Sequence, residues 1–181
     1  MSFRIEEKIL VNKNQILDFR KFCLDIHAKK LYDTRVIKSL YLDNNNKKMF
    51  NDSIEGVLPR KKIRIRQYPE SKLNEFFFEE KISSVEGRFK IKKKINKDDF
   101  LKIKNSGYLD NLYGHCKPIV YVEYKRKYFN LGKVRITHDT DIKYYLFKKK
   151  IIKYDSNQIF EIKANQKTNI DDLQLTFPMN R

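Results

Sequence analysis

Lysine and arginine alternate with large apolar residues in several segments of the chain, and this pattern restricts the possible folds more than any other feature. In one segment the cations occupy every second position, namely Arg60, Lys62, Arg64 and Arg66. Ile63 and Ile65 occupy positions between them. Because successive side chains of a β-strand point to opposite faces of the sheet, this segment is predicted to be a strand with one cationic and one apolar face.

The same alternation occurs in other parts of the chain. A second series of cations at every second position consists of Arg88, Lys90, Lys92 and Lys94. Lys133 and Arg135 repeat the pattern more briefly, with Val134 between them. At the amino end, one predicted face carries Arg4, Glu6 and Lys8. Several separate strands are therefore predicted to present cationic faces.

Alternation with a period of two, in runs rich in Ile, Val, Phe and Tyr, predicts about eight strands. These strands span residues 3–11, 36–43, 60–68, 75–82, 88–95, 118–128, 133–139 and 158–164. Two other segments have the apolar spacing of an amphipathic helix. One spans residues 13–30, and the other runs from an N-cap at Asn96 to a stop at Gly107. We expect both helices to pack against the sheet.

The net charge indicates the chemical class of the partner. The 181-residue chain has 40 Lys and Arg residues against 23 Asp and Glu residues, which gives a formal net charge of +17. Self-repulsion of this size destabilises a compact state unless an anion offsets it. Nucleic acid, an anionic membrane surface and phosphate-rich molecules all meet this requirement, and composition does not choose among them.

Cysteine content and hydropathy indicate the compartment. Cys23 and Cys116 are too few and too far apart in sequence to form a disulfide framework, and the chain does not open with a charged and then apolar leader. Apolar runs also fall short of the roughly 20 residues that span a bilayer. We expect a single cytoplasmic domain over residues 1–181, with membrane association only through a partner or a surface contact.

The cationic faces suggest how the strands are arranged. If the strands close into a barrel with the apolar faces outward under the helices, the interior becomes basic. Like charges on neighbouring strands destabilise each other, so a water-filled interior occupied by anions is favoured over a dry one. We therefore predict an α+β fold, mainly antiparallel, with a closed eight-stranded tunnel and flanking helices. The alternative is an ordinary solvated charged face.

Carboxylates interrupt the cationic faces at three positions. Glu6, Glu79 and Glu161 each lie two residues from a lysine on the same predicted face. Mg²⁺ and Mn²⁺ prefer carboxylate and phosphate oxygens, so a glutamate among phosphate-binding cations can hold a metal that also contacts the substrate. The alternative for each glutamate is a structural salt bridge.

Seven short motifs, taken in chain order, resemble those of the VTC domain, the polyphosphate polymerase branch of the triphosphate tunnel metalloenzyme superfamily. They are Arg4-Ile-Glu6-Glu-Lys8, Ser39-Leu-Tyr-Leu-Asp43, Arg64-Ile-Arg66-Gln-Tyr68, Glu79-Glu-Lys81, Pro118-Ile-Val-Tyr-Val-Glu-Tyr-Lys-Arg126, Lys133-Val-Arg135-Ile-Thr-His-Asp139 and Phe160-Glu161-Ile-Lys163. The resemblance spans residues 4–163 and includes the order and approximate spacing of the motifs.

The resemblance implies a set of functional residues. The implied phosphate-binding residues of the tunnel wall are Lys8, Arg64, Arg66, Lys81, Arg126 and Arg135, with Lys90 and Lys92 as further phosphate ligands. Glu161 is the implied ligand of a divalent metal, Mn²⁺ or Mg²⁺, and Glu6 is a second candidate.

The resemblance also implies an activity. Members of this branch transfer the γ-phosphate of ATP to a growing polyphosphate chain inside the tunnel. Phosphoryl transfer requires an aligned acceptor, charge neutralisation on the phosphate oxygens and a metal that spans phosphates, all of which such residues can supply. A nucleophilic side chain is not required. We therefore expect an ATP-polyphosphate phosphotransferase whose partners are ATP and inorganic polyphosphate or triphosphate.

The carboxy terminus departs from the family pattern. The family has a Ser-Lys motif after the last strand, whereas this sequence ends with Phe177-Pro-Met-Asn-Arg181. We therefore expect either a shortened sequence or a member that binds phosphate chains without full polymerase activity.

Two rival functions remain open. An inorganic triphosphatase of the same superfamily usually has Glu-x-Glu-x-Lys in its first strand, but Arg4 replaces the first glutamate here. A single-stranded nucleic-acid module would place aromatic side chains on the basic faces. Ile63, Ile65 and Phe89 lie opposite those faces, whereas Tyr68 shares a face with Arg66. We therefore do not expect nucleic acid to be the partner.

Overall fold

A computed structural model describes residues 4–11, 15–25, 27–71, 75–131, 134–147 and 152–165. The elements in chain order are β1 (Arg4–Val11), α1 (Gln15–Asp25), β2 (Lys29–Asp43), α2 (Lys48–Glu55), β3 (Arg60–Gln67), β4 (Phe76–Ser84), β5 (Gly87–Ile95), α3 (Lys97–Ser106), β6 (Tyr108–Asp110), β7 (Gly114–Leu131), β8 (Val134–Leu146), β9 (Ile152–Tyr154) and β10 (Gln158–Asn165). Within these ranges, none of the helices has the length and apolarity needed to cross a membrane.

The strands form a mostly antiparallel sheet, which confirms that part of the predicted fold. Their order is β1-β10-β8-β7-β2-β3-β4-β5, with β6 beside β7 and β9 beside β8. In the described ranges no pairing joins β1 to β5, so the sheet is not closed and the predicted closed eight-stranded tunnel is wrong. Alternation assigns side chains to faces, but closure needs hydrogen bonds between the two outer strands, which alternation does not encode. Residues 88–94 of β5 are accordingly all exposed.

Some element boundaries also differ from the prediction. The helix predicted over 13–30 ends at Asp25, and β2 begins at Lys29 rather than at residue 36. Helix α2 was not predicted, because its amino end is stabilised from outside the helix. The carboxylate of Asp43, the last residue of β2, accepts hydrogen bonds from the backbone amides of Met49 and Phe50, both at 3.0 Å.

The chain divides into two compact units, and the first comprises Met1–Arg35, Tyr124–Ile142 and Tyr154–Arg181. Strand β10 pairs with β1 on one side and with β8 on the other. We call these three strands the β1–β10–β8 ribbon. One face of this ribbon is apolar, with Ile136, Phe160 and Ile162 each at most 2% exposed. The ring of His138 stacks on Phe160 with ring centroids 4.1 Å apart. Those buried side chains leave the opposite face of β8 and β10 for polar residues.

The second unit comprises Val36–Glu123 and Lys143–Lys153. Its sheet has the apolar face that the alternation predicted, and the buried cluster on that face is formed by Leu40, Leu42, Met49, Ile63, Ile65, Phe78, Ile95, Phe100, Tyr113 and Cys116. The predicted N-cap of α3 is confirmed, because Asn96 Oδ1 accepts a hydrogen bond from the Asp99 amide at 2.7 Å. The predicted stop at Gly107 is confirmed as well. The single domain predicted for residues 1–181 stays a prediction.

Candidate functional site

The second unit carries a basic face on β3, β4 and β5, on the side of the sheet opposite its apolar cluster. Three cross-strand rows define it, because directly opposed residues of antiparallel strands share a face. The rows are Tyr41–Arg64–Glu79–Lys92, Ser39–Arg66–Phe77–Lys94 and Lys62–Lys81–Lys90. We call these side chains the β3–β5 basic face. It brings together five of the predicted phosphate ligands, which are Arg64, Arg66, Lys81, Lys90 and Lys92.

The carboxylate of Glu79 lies at the centre of the β3–β5 basic face. Its side chain is 1% exposed, and its Oε2 accepts hydrogen bonds from Arg64 Nε at 2.8 Å and forms an ion pair with Arg64 Nη2 at 2.6 Å. Lys90 Nζ donates to Oε1 at 2.6 Å, and Arg66 Nε lies 3.9 Å from Oε2. Three cations therefore converge on one buried carboxylate.

The protonation of this group follows from its surroundings. Burial raises the pKa of Glu79, but the charges of Arg64 and Arg66 and the hydrogen bond from Lys90 outweigh burial and lower the pKa to about 2. Burial lowers the pKa of Lys90, and the charges of Arg64 and Arg66 lower it further. The hydrogen bond to Glu79 and the charge of Glu79 oppose this shift without cancelling it. Glu79 is therefore ionised at neutral pH, and the cluster has three basic side chains for one carboxylate.

Two further side chains orient the arginines. Arg64 Nη1 donates to the hydroxyl of Tyr41 at 2.9 Å, and Arg66 Nε lies 3.5 Å from Ser39 Oγ. These contacts and those to Glu79 restrict both guanidinium groups. Prearranged cations lose less conformational entropy when they bind an anion.

The lysine row gives the β3–β5 basic face a surplus of positive charge. Lys62 lies directly opposite Lys81, and Lys81 lies directly opposite Lys90. Like charges at directly opposed positions are destabilising. Beside this row, the ammonium group of Lys92 lies 3.8 Å from the centroid of the Phe77 ring. An anion that bridges the row would reduce the repulsion.

The first unit carries a second group of the predicted residues on β1, β8 and β10. Lys8 lies opposite Glu161, Glu161 lies opposite Thr137, and Lys163 lies opposite Arg135. We call these side chains, with Arg126 and Asp139, the β8–β10 polar face. The side chain of the predicted metal ligand Glu6 lies outside the described part of the structure.

Arg126 is fixed on the β8–β10 polar face by a bidentate ion pair. Its Nε and Nη2 atoms donate to Asp139 Oδ1 and Oδ2 at 2.5 and 2.6 Å. Burial lowers the pKa of Arg126, but the hydrogen bonds and charge of Asp139 outweigh it and raise the pKa overall. Two parallel hydrogen bonds also fix the plane of the guanidinium group.

Glu161, the predicted metal ligand, is buried among cations. Its side chain is 5% exposed, and Oε2 lies 3.4 Å from Lys163 Nζ and 3.9 Å from Arg126 Nη1. Among the described residues, no three His, Cys, Asp or Glu side chains are grouped so that they could hold a metal ion. Mg²⁺ is usually bound by one or two protein carboxylates, with water and substrate oxygens as its other ligands, so the metal role of Glu161 stays a prediction.

The β8–β10 polar face also has buried polar atoms without a hydrogen bond. In the described part of the chain, Arg135 Nε and Thr137 Oγ1 have no hydrogen-bond partner. Native structures contain few such atoms, and each one points to a missing partner or to a function.

Several residues of the two faces were missed in the sequence. Tyr41, Thr137, Asp139 and Lys163 lie inside the recognised motifs but were not assigned as site residues, and Glu79 was named only as a possible metal ligand or salt-bridge partner. Thr137 and Lys163 lie two residues from the predicted ligands Arg135 and Glu161, and this spacing was the available signal for them. The roles assigned to the predicted ligands stay predictions.

Similar solved structures share this fold at low sequence identity. A candidate adenylate cyclase from Bacillus halodurans is 15% identical with a TM-score of 0.63, and the match covers 98% of this chain and 87% of that chain. A candidate adenylate cyclase from Vibrio parahaemolyticus is 16% identical with a TM-score of 0.52, covering 96% and 82%. A protein from Pyrococcus horikoshii is 12% identical with a TM-score of 0.56, covering 96% and 85%.

These likenesses establish a common fold and no more, because all three identities are low. Among curated proteins, no sequence matches the chain. A family model does match, over residues 3–176, which is nearly the whole chain, and it is the model of the VTC domain. The resemblance found in the motifs is thereby confirmed, and the chain belongs to the VTC domain family.

Proposed function

We propose that the chain is a metal-dependent polyphosphate polymerase, which transfers the γ-phosphate of ATP to a polyphosphate chain bound on its β3–β5 basic face. The observation that carries this proposal is the convergence of Arg64, Arg66 and Lys90 on Glu79, beside the row of opposed lysines. Membership of the VTC domain family supports it.

The arrangement suits a linear chain of phosphates better than an isolated anion. The cations of the β3–β5 basic face repeat at every second residue along β3 and β5, about 7 Å apart, and the opposed lysines of β3, β4 and β5 lie on strands about 5 Å apart. A polymer with a negative charge on each phosphate can contact several of these cations at once. Guanidinium groups match phosphate oxygens geometrically, and lysines supply point charges.

The chain's own residues would act by binding, orientation and charge neutralisation. Arg64 and Arg66, held by Tyr41, Ser39 and Glu79, present fixed donors to phosphate oxygens. Lysine ammonium groups neutralise the charge that develops on the transferred phosphoryl group. No side chain has to form a covalent intermediate in this mechanism.

Glu161 would hold the divalent metal, Mn²⁺ or Mg²⁺. When bound, such a metal would neutralise charge on the phosphate oxygens that it contacts. The buried carboxylate of Glu161 supports this role, because Mg²⁺ is often bound by one or two protein carboxylates, with phosphate oxygens and water as its other ligands. Two of the similar structures are described as candidate adenylate cyclases, which supports an adenine nucleotide as the phosphate donor.

Purified protein incubated with ATP and Mn²⁺ tests the proposal directly. We expect phosphate polymers that are resolved by length on a gel, and we expect Arg64→Ala and Glu161→Ala to abolish them while the protein stays folded. Lys102→Ala is the matched control, because it removes one exposed cation from α3, away from the β3–β5 basic face. This variant should retain full activity.

The same assay separates the rival functions. Release of free phosphate from triphosphate without polymer would indicate an inorganic triphosphatase. Tight binding of polyphosphate without turnover would indicate a non-catalytic binding protein. Stronger binding of single-stranded DNA than of polyphosphate would indicate a nucleic-acid module and would contradict the proposal.

A further inference from the structure

Strand β8 presents two buried polar atoms that make no hydrogen bond. Thr137 is 1% exposed, and neither its Oγ1 nor the Nε of Arg135 has a partner in the described part of the chain. A buried polar group without a partner loses its hydrogen bonds to water and forms none within the protein, which destabilises the folded state. Two such atoms two residues apart on one face are therefore an unfavourable arrangement for the protein alone.

The two atoms belong to the same side of the ribbon. Residues two apart on a strand share a face, so Arg135 and Thr137 point to the β8–β10 polar face. Thr137 lies directly opposite Glu161, and Arg135 lies directly opposite Lys163. Opposed residues have Cβ atoms about 5 Å apart, so all four side chains border one small region.

The chemistry of this region favours an anion as the missing partner. An Nε–H group can only donate a hydrogen bond, and a hydroxyl group can donate one. Lys163 and Arg126 lie 3.4 and 3.9 Å from the Glu161 carboxylate, and the carboxylate of Asp139 is occupied by Arg126. With Arg135, three cations therefore face two carboxylates, and the region keeps a positive charge. A ligand oxygen with negative charge would accept from both unpaired donors and would be stabilised by the surrounding cations.

We propose that the Thr137 hydroxyl and the Arg135 Nε–H donate together to one oxygen of a bound phosphate chain, which makes Thr137 a phosphate-binding residue. This inference rests on the proposed function and extends it to a residue without charge. Thr137 lies directly opposite Glu161, the residue that would hold the divalent metal in the proposed function.

Thr137→Val tests this proposal because it replaces the hydroxyl by a methyl group of similar size. In the free protein we expect an equal or higher melting temperature, since an unpaired buried hydroxyl is removed. With inorganic tripolyphosphate and no nucleotide or metal, we expect at least about tenfold weaker binding by calorimetry, because a hydrogen bond to a charged group is lost. When tripolyphosphate is added, the melting temperature of the wild type should therefore rise more than that of the variant.

Two control variants test whether the hydroxyl group of Thr137 itself causes the loss of tripolyphosphate binding. Thr137→Ser keeps the hydroxyl and should bind tripolyphosphate within about threefold of the wild type. Thr140→Val makes the same chemical change on β8 at a half-buried position of opposite parity, and it should leave binding unchanged.

Three results would overturn the proposal. Unchanged tripolyphosphate binding by Thr137→Val would show that the hydroxyl does not contact phosphate. Because the wild-type protein would still bind tripolyphosphate, this result would leave the proposed function intact. A lower melting temperature of free Thr137→Val would show that the hydroxyl is already bonded, for example to a buried water. No binding of tripolyphosphate by the wild type would refute this inference, whereas the polymer assay with ATP and Mn²⁺ tests the proposed function separately.

Discussion

Replacement of Glu79 by glutamine should destabilise the protein and also change how its stability depends on pH. Glu79→Gln keeps the size of the side chain and removes its charge. Arg64, Arg66 and Lys90 would then lose the carboxylate on which they converge, at distances of 2.6 to 3.9 Å. Removing one partner from a buried group of charges leaves the remaining charges uncompensated.

The pKa of Glu79 gives the size of the effect. Surrounding cations lower this pKa from 4.5 to about 2 in the folded state. The difference corresponds to roughly 3 kcal/mol of folding free energy. Because the folded-state pKa is depressed, this contribution is present above the unfolded-state value and is lost as the pH falls from about 5 to about 2.

Urea denaturation of wild type and Glu79→Gln between pH 7 and pH 2.5 measures this effect. We expect the variant to be less stable by roughly 3 kcal/mol at pH 7, with the difference shrinking below about pH 4. Glu75→Gln is the matched control, because Glu75 pairs with a lysine whose side chain is 65% exposed. That pair should contribute at most about 1 kcal/mol. A stability difference for Glu79→Gln that stays constant over the whole pH range would refute the reasoning.

Two further ion pairs give independent predictions. Asp110→Asn removes the charge that Lys61 Nζ contacts at 2.5 Å, and we expect a loss of about 3 kcal/mol in urea denaturation, since the lysine side chain is only 15% exposed. A loss below about 0.5 kcal/mol would show that the pair is solvated. Arg126→Lys keeps the charge but not the two parallel hydrogen bonds to Asp139, so we expect about 2 kcal/mol of destabilisation and weaker tripolyphosphate binding by calorimetry. Wild-type affinity and stability in this variant would contradict the assigned geometry.

The faces of the strands could be predicted from the sequence because strand parity is a local property. Ile63 and Ile65 are at most 1% exposed in the apolar cluster, and Arg64 and Arg66 lie on the opposite face, as the alternation indicates. The cap of α3 was also predictable, because Asn96 and the amide that it binds are three residues apart.

Features that depend on distant parts of the chain could not be predicted in this way. Glu79 and Arg64 are 15 residues apart, and their contact depends on the register between β3 and β4. Closure of the sheet depends on pairing between its two outer strands, and α2 depends on a carboxylate from the end of β2. Local alternation contains none of this information, so the closed tunnel was predicted wrongly and the cations that pair with Glu79 could not be identified.

The most direct test of the central claim follows the label of the transferred phosphate. Protein with Mn²⁺ is supplied in parallel with ATP labelled at the γ-phosphate and with ATP labelled at the α-phosphate, and the polymer is separated from nucleotide and free phosphate. A polyphosphate polymerase predicts that the γ label enters the polymer and that the α label stays in the nucleotide. Recovery of the γ label only as free phosphate, or only as unreacted ATP, would contradict the claim.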